Sequence, residues 1–435
     1  MTPEEQKVHQ LALKRFKLVE EKERSQRRLA LEDLRFAQSE DGQWEQDAIE
    51  KRQNRPRYTI NRIAGAVDQL NGNQRQTRTN IKIRPVSNGA SEEIAKNIEG
   101  VIRNIESSSQ AKSAYDSGSD ECNNGGFGGW RVVTELNEDS VDEQDILIKP
   151  IQGATSSLWF DVGAVEYDKR DAKWAFLTVK MPKEEREERW PKIPVVEWPE
   201  NQDRNSSAGR SLWVTDNSVQ VAEYFVKTPV VREIAKLADG RVIDLDEDGH
   251  LLDPLDPGSE IVKRRKVEGH KVQVYKMDGG SILEGPMDWA GKFIPLIPVY
   301  GRQTYIDGIT YTRGIVRFAK DPCRIYNYLT STDIETSALT PKDPYWYTPK
   351  QAAGHKFQYE NFNTRNDPMV PYNPDPEAPG PPVRSGSPSL NQASASQKEQ
   401  AAQDIYNITG IQPPTFGPTA QLISGKAIRA QDKQG

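Results

Sequence analysis

The stretch Asn123–Val133, NNGGFGGWRVV, decides how the chain around it is read. Four glycines, Gly125, Gly126, Gly128 and Gly129, stand directly before a β-prone run. A dinucleotide cradle needs a third glycine in register and a helix N-terminus aimed at the pyrophosphate. Gly126 and Gly128 supply the first two positions, but the third falls on Arg131, and the residues that follow, WRVVTEL, read as a strand. The run therefore predicts close backbone packing or a bulge, and no nucleotide.

Downstream, WRVVTEL and DILIKPI are two strands separated by an acidic loop, which predicts a hairpin. EYDKRDAKWAFLTVKM adds a strand and KEEREERW a short charged helix. Residues 212–300 alternate strand and turn signals. Upstream, Val8, Leu11, Phe16, Leu18 and Val19 recur at roughly helical spacing within a helix expected from Pro3 to about Phe36. Further helices are expected at Ile60–Arg78 and Ala90–Ser109, with IKIRPV (Ile81–Val86) alternating as a strand between them. The chain turns helical again over Thr310–Thr340 and over Asn391–Ile408, where Gly410, Pro413 and Pro414 end it. Between these two helices lies a stretch rich in Pro, Asn and aromatics, ending in the low-complexity GPPVRSGSPS. Runs of helix and runs of strand in one chain predict an α+β fold.

The chain has 435 residues, enough for two or three domains. Only 35% of them are hydrophobic, and mean hydropathy is −0.77, both low for a compact enzyme. Much surface is therefore expected in extended helices or in faces awaiting neighbours. The net charge of −6 argues against a protein that coats itself with nucleic acid, though it leaves a local basic stripe open. Cys122 and Cys323 alone make no disulfide framework or zinc site. No signal peptide or membrane segment is expected, because the longest apolar run, FIPLIPVY, holds two prolines and is too short.

Chemistry is sparse. Asp244, Asp246, Asp248 and Gly249 are placed as in an EF-hand loop, but Leu255 stands where the bidentate Glu belongs, so a solvated hairpin turn is the better reading. SGKAI (Ser424–Ile428) resembles the end of a P-loop, yet its upstream glycine is misplaced and Ala427 replaces the magnesium-binding hydroxyl. The four histidines have no partner at a ligand or triad spacing, so no cofactor, metal or catalytic residue is expected. Arg313, Arg317, Lys320 and Arg324 fall on one face of a continuous helix and could track a phosphate backbone. Charge stripes are more often a solvated face or partners for a neighbour's acids. Pro322, with Asp321 before it as an N-cap, could instead start a new helix.

Two segments are more specific. RPRYTINRIAGAVDQLNGNQRQTRTNIKIRPV (Arg55–Val86) resembles the N-terminal signature of portal proteins of short-tailed, lambdoid-type phages. DIYNITGIQPPTFGPTAQLISGKAIRAQDKQG (Asp404–Gly435) is similar to the segment that leaves that family's stem and returns toward the ring. GGFGGWRVVTEL, YDKRDA and FIPLIPVYGR match between them in the family's order.

The resemblance implies a non-enzymatic ring, usually dodecameric, at a capsid vertex, through which DNA is packaged and later ejected. The wing would be residues 1–312, one stem helix 313–338, the clip 339–390, the second stem helix 391–409, and the tunnel loop with the start of a further helix 410–435. The family's C-terminal crown or barrel would be absent from this chain. Implied partners are further copies of the chain, the terminase large subunit, tail adaptors or head-to-tail connectors, and major capsid and scaffolding proteins. Double-stranded DNA would pass without sequence specificity, in a virion assembled in the host cytoplasm, with no membrane.

Arg313, Arg317, Lys320 and Arg324 would face the channel or the adjacent subunit. Gln412, Thr415, Phe416, Gln421 and Ile423 would lie in the loop nearest DNA. Tyr345, Trp346, Tyr347 and Phe357 would form the clip interface, or pack the clip core. The rival classes are a metal-dependent nucleic-acid enzyme built on the Asp244, Asp246 and Asp248 cluster, and a capsid or tail adaptor with no channel of its own.

Overall fold

The computed structural model describes residues 1–38, 41–78, 81–86, 91–137, 143–195, 213, 217–238, 242–245, 261–339, 345–361, 369–384 and 392–411. In chain order the elements begin with helices α1 (Pro3–Gln38), α2 (Gln46–Lys51), α3 (Arg62–Gln76), α4 (Glu92–Ser108) and α5 (Ala111–Gly125). Next come β1 (Phe127–Leu136), β2 (Gln144–Pro150), α6 (Ala154–Ser157), β3 (Leu158–Phe160), β4 (Trp174–Pro182) and α7 (Lys183–Arg189). A strand-rich stretch holds β5 (Ser218–Leu237), β6 (Val242–Asp244), β7 (Ile261–Met277), β8 (Ile282–Trp289), β9 (Leu296–Tyr300), β10 (Arg302–Ile306) and β11 (Ile309–Arg313). The rest is α8 (Val316–Leu339), β12 (Tyr345–Trp346), α9 (Lys356–Glu360), β13 (Val383–Arg384) and α10 (Gln392–Thr409). Helices and antiparallel strands make the fold α+β, and the chain divides into two compact units.

The first unit comprises Met1–Leu34 and Val67–Arg317. Its centre is a six-stranded sheet in the order β3-β4-β5-β7-β8, with β6 attached to β5. Strand β4 is buried on both faces over Trp174–Thr178, which explains the unbroken run WAFL. Trp174 and Phe176 point to one side, with Tyr224, Tyr275 and Met277, and meet Ala12, Phe16 and Val19 of α1. Ala175 and Leu177 point to the other, with Phe225 and Val272, and meet Phe127 and Leu296 of the three-stranded sheet β2-β1-β9.

Helix α1 starts with a capping box, Thr2 Oγ1 accepting from the Glu5 amide and Glu5 Oε2 from the Thr2 amide. Its inward face is Val8, Ala12, Phe16 and Val19. Leu11 and Leu18, expected on that face, are 46% and 48% exposed because their positions fall well round the helix from it.

The glycine run behaves as close backbone packing. Helix α5 ends at Gly125 and Gly126 caps it at φ 92°. Gly128 passes so near the preceding helix that a Cβ there would lie 2.0 Å from the Gly118 carbonyl oxygen. Helix α5 itself has no obvious apolar periodicity, because its buried residues are small or polar: Ala111, Ala114, Gly118, Cys122, Asn124 and Gly125. Burial pushes the Cys122 thiol up to about 12.

Three local expectations need correction. IKIRPV pairs with no described strand, and Val86 is 98% exposed. The strand expected from Glu166 begins only at Trp174, because Asp161 and Asp171 side chains capture backbone amides of Gly163, Val165 and Glu166 in turns. The helix expected from Thr310 begins at Val316, since Ile309–Arg313 pairs with Arg302–Ile306 about an Asp307–Gly308 turn with positive φ at both residues.

Strands β5 and β7 form the longest ladder. Strand β4 leaves it at Val226 and β8 at Val272, so the ladder continues as a ribbon over residues 227–237 and 261–271, flanked only near its end by β6.

The second unit comprises Arg35–Ala66 and Phe318–Gly435. It contains α2, most of α8, the β12–β13 pair, α9 and α10.

Candidate functional site

The basic face expected over residues 313–324 is not one helical stripe. Arg313 ends β11, directly opposite Arg302. Burial chiefly, then the charges of Arg302 and Arg317, hold its pKa below the usual arginine value. Arg317 is ion-paired with Asp33, whose side chain is fully buried. In the second unit, Lys320 is buried and Arg324 pairs with Glu45 at 3.0 Å and Asp321 at 3.4 Å. Pro322 starts no new helix; α8 runs through it. The buried residues of α8 in this unit, Ala319, Lys320, Cys323, Asn327 and Ser331, recur at helical spacing, and Arg324 flanks them.

What holds α8 in the second unit is a polar strap. Residues 56–61 carry no helix or ladder, yet their amides are satisfied by side chains of α8. The Ile60 amide donates to Asn327 Oδ1 at 2.9 Å, and the Tyr58 amide to Ser331 Oγ at 3.0 Å. Two residues of extended chain advance about 6.6 Å, and four residues of helix about 6.0 Å, so the contacts repeat in step. The next position on the strap is Pro56, which has no amide, and there the contact passes to a side chain. Arg55 Nε meets Glu335 Oε1 at 2.6 Å.

Buried Arg52 joins the same end of the strap. It donates to the Pro56 carbonyl at 3.2 Å and to Thr332, lies 3.6 Å from Glu335, and stacks 4.4 Å over the Tyr328 ring. The hydrogen bond from Arg55, then the charges of Arg55 and Arg52, hold Glu335 below the usual carboxylate range. At the other end, fully buried Asn327 donates to Gln43 Oε1 at 2.8 Å, and Gln43 donates to the Phe36 carbonyl. None of these residues stood out as functional in the sequence. The available signal was Asn327, Ser331 and Glu335 at steps of four, on the side where Cys323 is buried.

Helices α8 and α10 are tied together at Asp333, which accepts from Lys398 at 2.6 Å and from Ser394 at 2.7 Å. Burial works to raise the Asp333 pKa, but the two hydrogen bonds and the Lys398 charge outweigh it and hold it low. Ser394, Ala401 and Ile405 are the buried residues of α10, at steps of seven and four.

Between these helices, the four aromatics expected in one interface divide. Tyr345 and Tyr347 pack on Tyr359, with ring centroids 5.4 and 5.0 Å away, and the Tyr359 hydroxyl donates to the Pro371 carbonyl. Trp346 is 70% exposed and lies opposite Val383, which is 66% exposed, so the two share one face of the β12–β13 pair. Phe357 on α9 is 62% exposed.

Gln412, Thr415, Phe416, Gln421 and Ile423 lie outside the described residues, as do Asp246, Asp248 and the SGKAI segment. Asp244 ends β6, paired with Ile234. No group of three His, Cys, Asp or Glu able to hold a metal occurs among the described residues, and no described helix is long and apolar enough to cross a membrane.

The model of the phage P22-like portal protein family matches residues 13–435. A portal protein of Acyrthosiphon pisum secondary endosymbiont phage 1 is 28% identical over 435 aligned residues, covering 93% of this chain and 59% of that protein. The chain thus spans about three-fifths of that relative's length.

Proposed function

The chain belongs to the phage P22-like portal protein family, and on that basis we propose that it assembles with copies of itself into a ring, a dodecamer, around a DNA channel at the capsid vertex. In this reading α8 and α10 are the stem, and the chain between them is a clip that docks the terminase large subunit and later tail adaptors or head-to-tail connectors. The wing would meet major capsid and scaffolding proteins. Double-stranded DNA would pass inward during packaging and outward on ejection. The subunit is a structural component with no catalytic step of its own, assembled in the host cytoplasm and retained in the virion.

The observation that carries the reading is the bracing of an outgoing and a returning helix at Asp333, Lys398 and Ser394, with exposed Trp346, Val383 and Phe357 on the excursion between them. Two helices pinned at that level make a stiff hairpin, and exposed aromatics beyond it suit a protein interface. The charges along α8 are answered within the fold, at Asp33, Glu45 and Glu335. A conduit is served by that arrangement, because unpaired cations would hold the phosphate backbone in place. The roles of Arg313, Arg317, Lys320 and Arg324 at the channel or the next subunit, and of residues 412–423 as the loop nearest DNA, are part of the proposal.

Electron microscopy with native mass measurement of the purified chain tests it. Closed rings with a central channel are expected. Monomers or compact dimers at micromolar concentration would overturn the conduit mechanism.

A further inference from the structure

Arg317, Arg324, Arg52, Arg55 and Lys398 each face a carboxylate. The ribbon formed by β5 and β7 is different. Over residues 227–237 and 261–271 it carries eight Lys or Arg against Glu233 and Glu268, a net of +6 in a chain whose net charge is −6. The antiparallel register puts Arg232, Lys236, Lys263, Arg265 and Lys271 on one face, with Thr228, Val230, Ile234 and Val267 between them and a single carboxylate, Asp244 of β6, beside Ile234. Lys236, Lys263, Arg265 and Lys271 are exposed, and none is ion-paired with a described residue. Lys236 and Lys263 stand directly opposite each other, a like-charge pairing that weakens a ladder. In the sheet, the same face carries Tyr224 and Tyr275 and is covered by α1.

We propose that this face of the ribbon binds the phosphate backbone of double-stranded DNA, without reading sequence. The charge complementarity is with a dense anion array, which relieves the Lys236–Lys263 opposition. Protein interfaces are depleted in Lys and enriched in aromatics, whereas this face carries three Lys and holds no aromatic residue. The ribbon lies within the first unit, and its contact with DNA does not depend on the chain forming a ring.

The test is fluorescence anisotropy of a labelled duplex of about twelve base pairs, short enough to occupy one ribbon, titrated with the purified chain across sodium chloride concentrations. Four phosphate contacts give a slope of log affinity on log salt of about −3.6, and so an affinity loss of about 10²-fold between about 50 and 200 mM salt. The double variant Lys263→Gln with Arg265→Gln, on an exposed face, keeps the wild-type circular dichroism and brings the slope to about −1.8. A slope unchanged in that variant would overturn the proposal, as would absence of duplex binding at about 50 mM salt. Polyglutamate binding as tightly as the duplex would overturn it too, in favour of an acidic protein partner.

Discussion

The two units are held together by different chemistry. In the first, α1 and two sheets meet through aromatic and aliphatic side chains, with Phe16 in edge contact with Trp159, Phe176 and Trp213 at 5.1–5.4 Å. In the second, α8 is fixed by hydrogen bonds from an extended segment to Asn327 and Ser331, and by the Arg52, Arg55 and Glu335 cluster. Apolar contacts are non-directional and tolerate small slides. Hydrogen bonds to single atoms fix one register and one rotation, and punish departures from either.

The largest expected effect tests the apolar side. Phe16→Ala removes a buried ring from three aromatic neighbours and is expected to cost about 3–5 kcal/mol, measured as a lowered urea midpoint. Second comes Asn327→Ala, which strands the part-buried Ile60 amide and the buried Gln43 carboxamide oxygen and is expected to cost about 1–3 kcal/mol. Hydrogen exchange should show the Tyr58 and Ile60 amides losing protection in that variant while the first unit keeps its own. Protection lost equally in both units would break the comparison.

Asp333→Asn sharpens it. Both partners of the Lys398 pair are partly exposed, so the expected cost is about 1 kcal/mol or less at neutral pH. The folded Asp333 pKa is depressed, so its contribution is present above the unfolded pKa and lost as pH falls through the folded one, below the ordinary aspartate range. The wild-type advantage in thermal unfolding should therefore close in acid and return at neutral pH; a gap independent of pH would mean the pair contributes through shape alone. Smallest in stability is Trp346→Ala, at most about 0.5 kcal/mol for an exposed side chain. Its expected effect is on docking, read as weakened capture of terminase or tail adaptor by the purified chain, with Tyr345→Ala instead lowering stability.

Much of this architecture was legible. The glycine run declared close packing because its spacing fitted nothing else, and the β1–β2 hairpin followed from alternation. Helices α8 and α10 showed in their periodicity, and the family showed in its motifs. Helix α5 was not legible, since Ala, Gly and Cys make a buried face without hydrophobic periodicity. Arg313 was assigned to a helix because no local signal outweighed the periodic spacing, although Asp307–Gly308 marked the hairpin turn that claimed it. The strap was invisible for another reason. Its partner is a helix 267 to 280 residues away, and a strand bonded to helix side chains has neither alternation nor a turn to announce it.

The strap on α8 works as a vernier. Its two scales, about 6.6 Å and about 6.0 Å, drift apart by roughly a tenth of a division at each step. The two steps from Asn327 to Glu335 are well within tolerance, but after about five the marks would be half a division out of phase. Such a strap is therefore bounded in length by arithmetic alone, and this one ends where Arg62 opens α3. The same arithmetic makes it an all-or-none gauge of the helix. One residue inserted between Asn327 and Ser331 would turn every later mark by about 100°, and no sliding of the strap could bring them back.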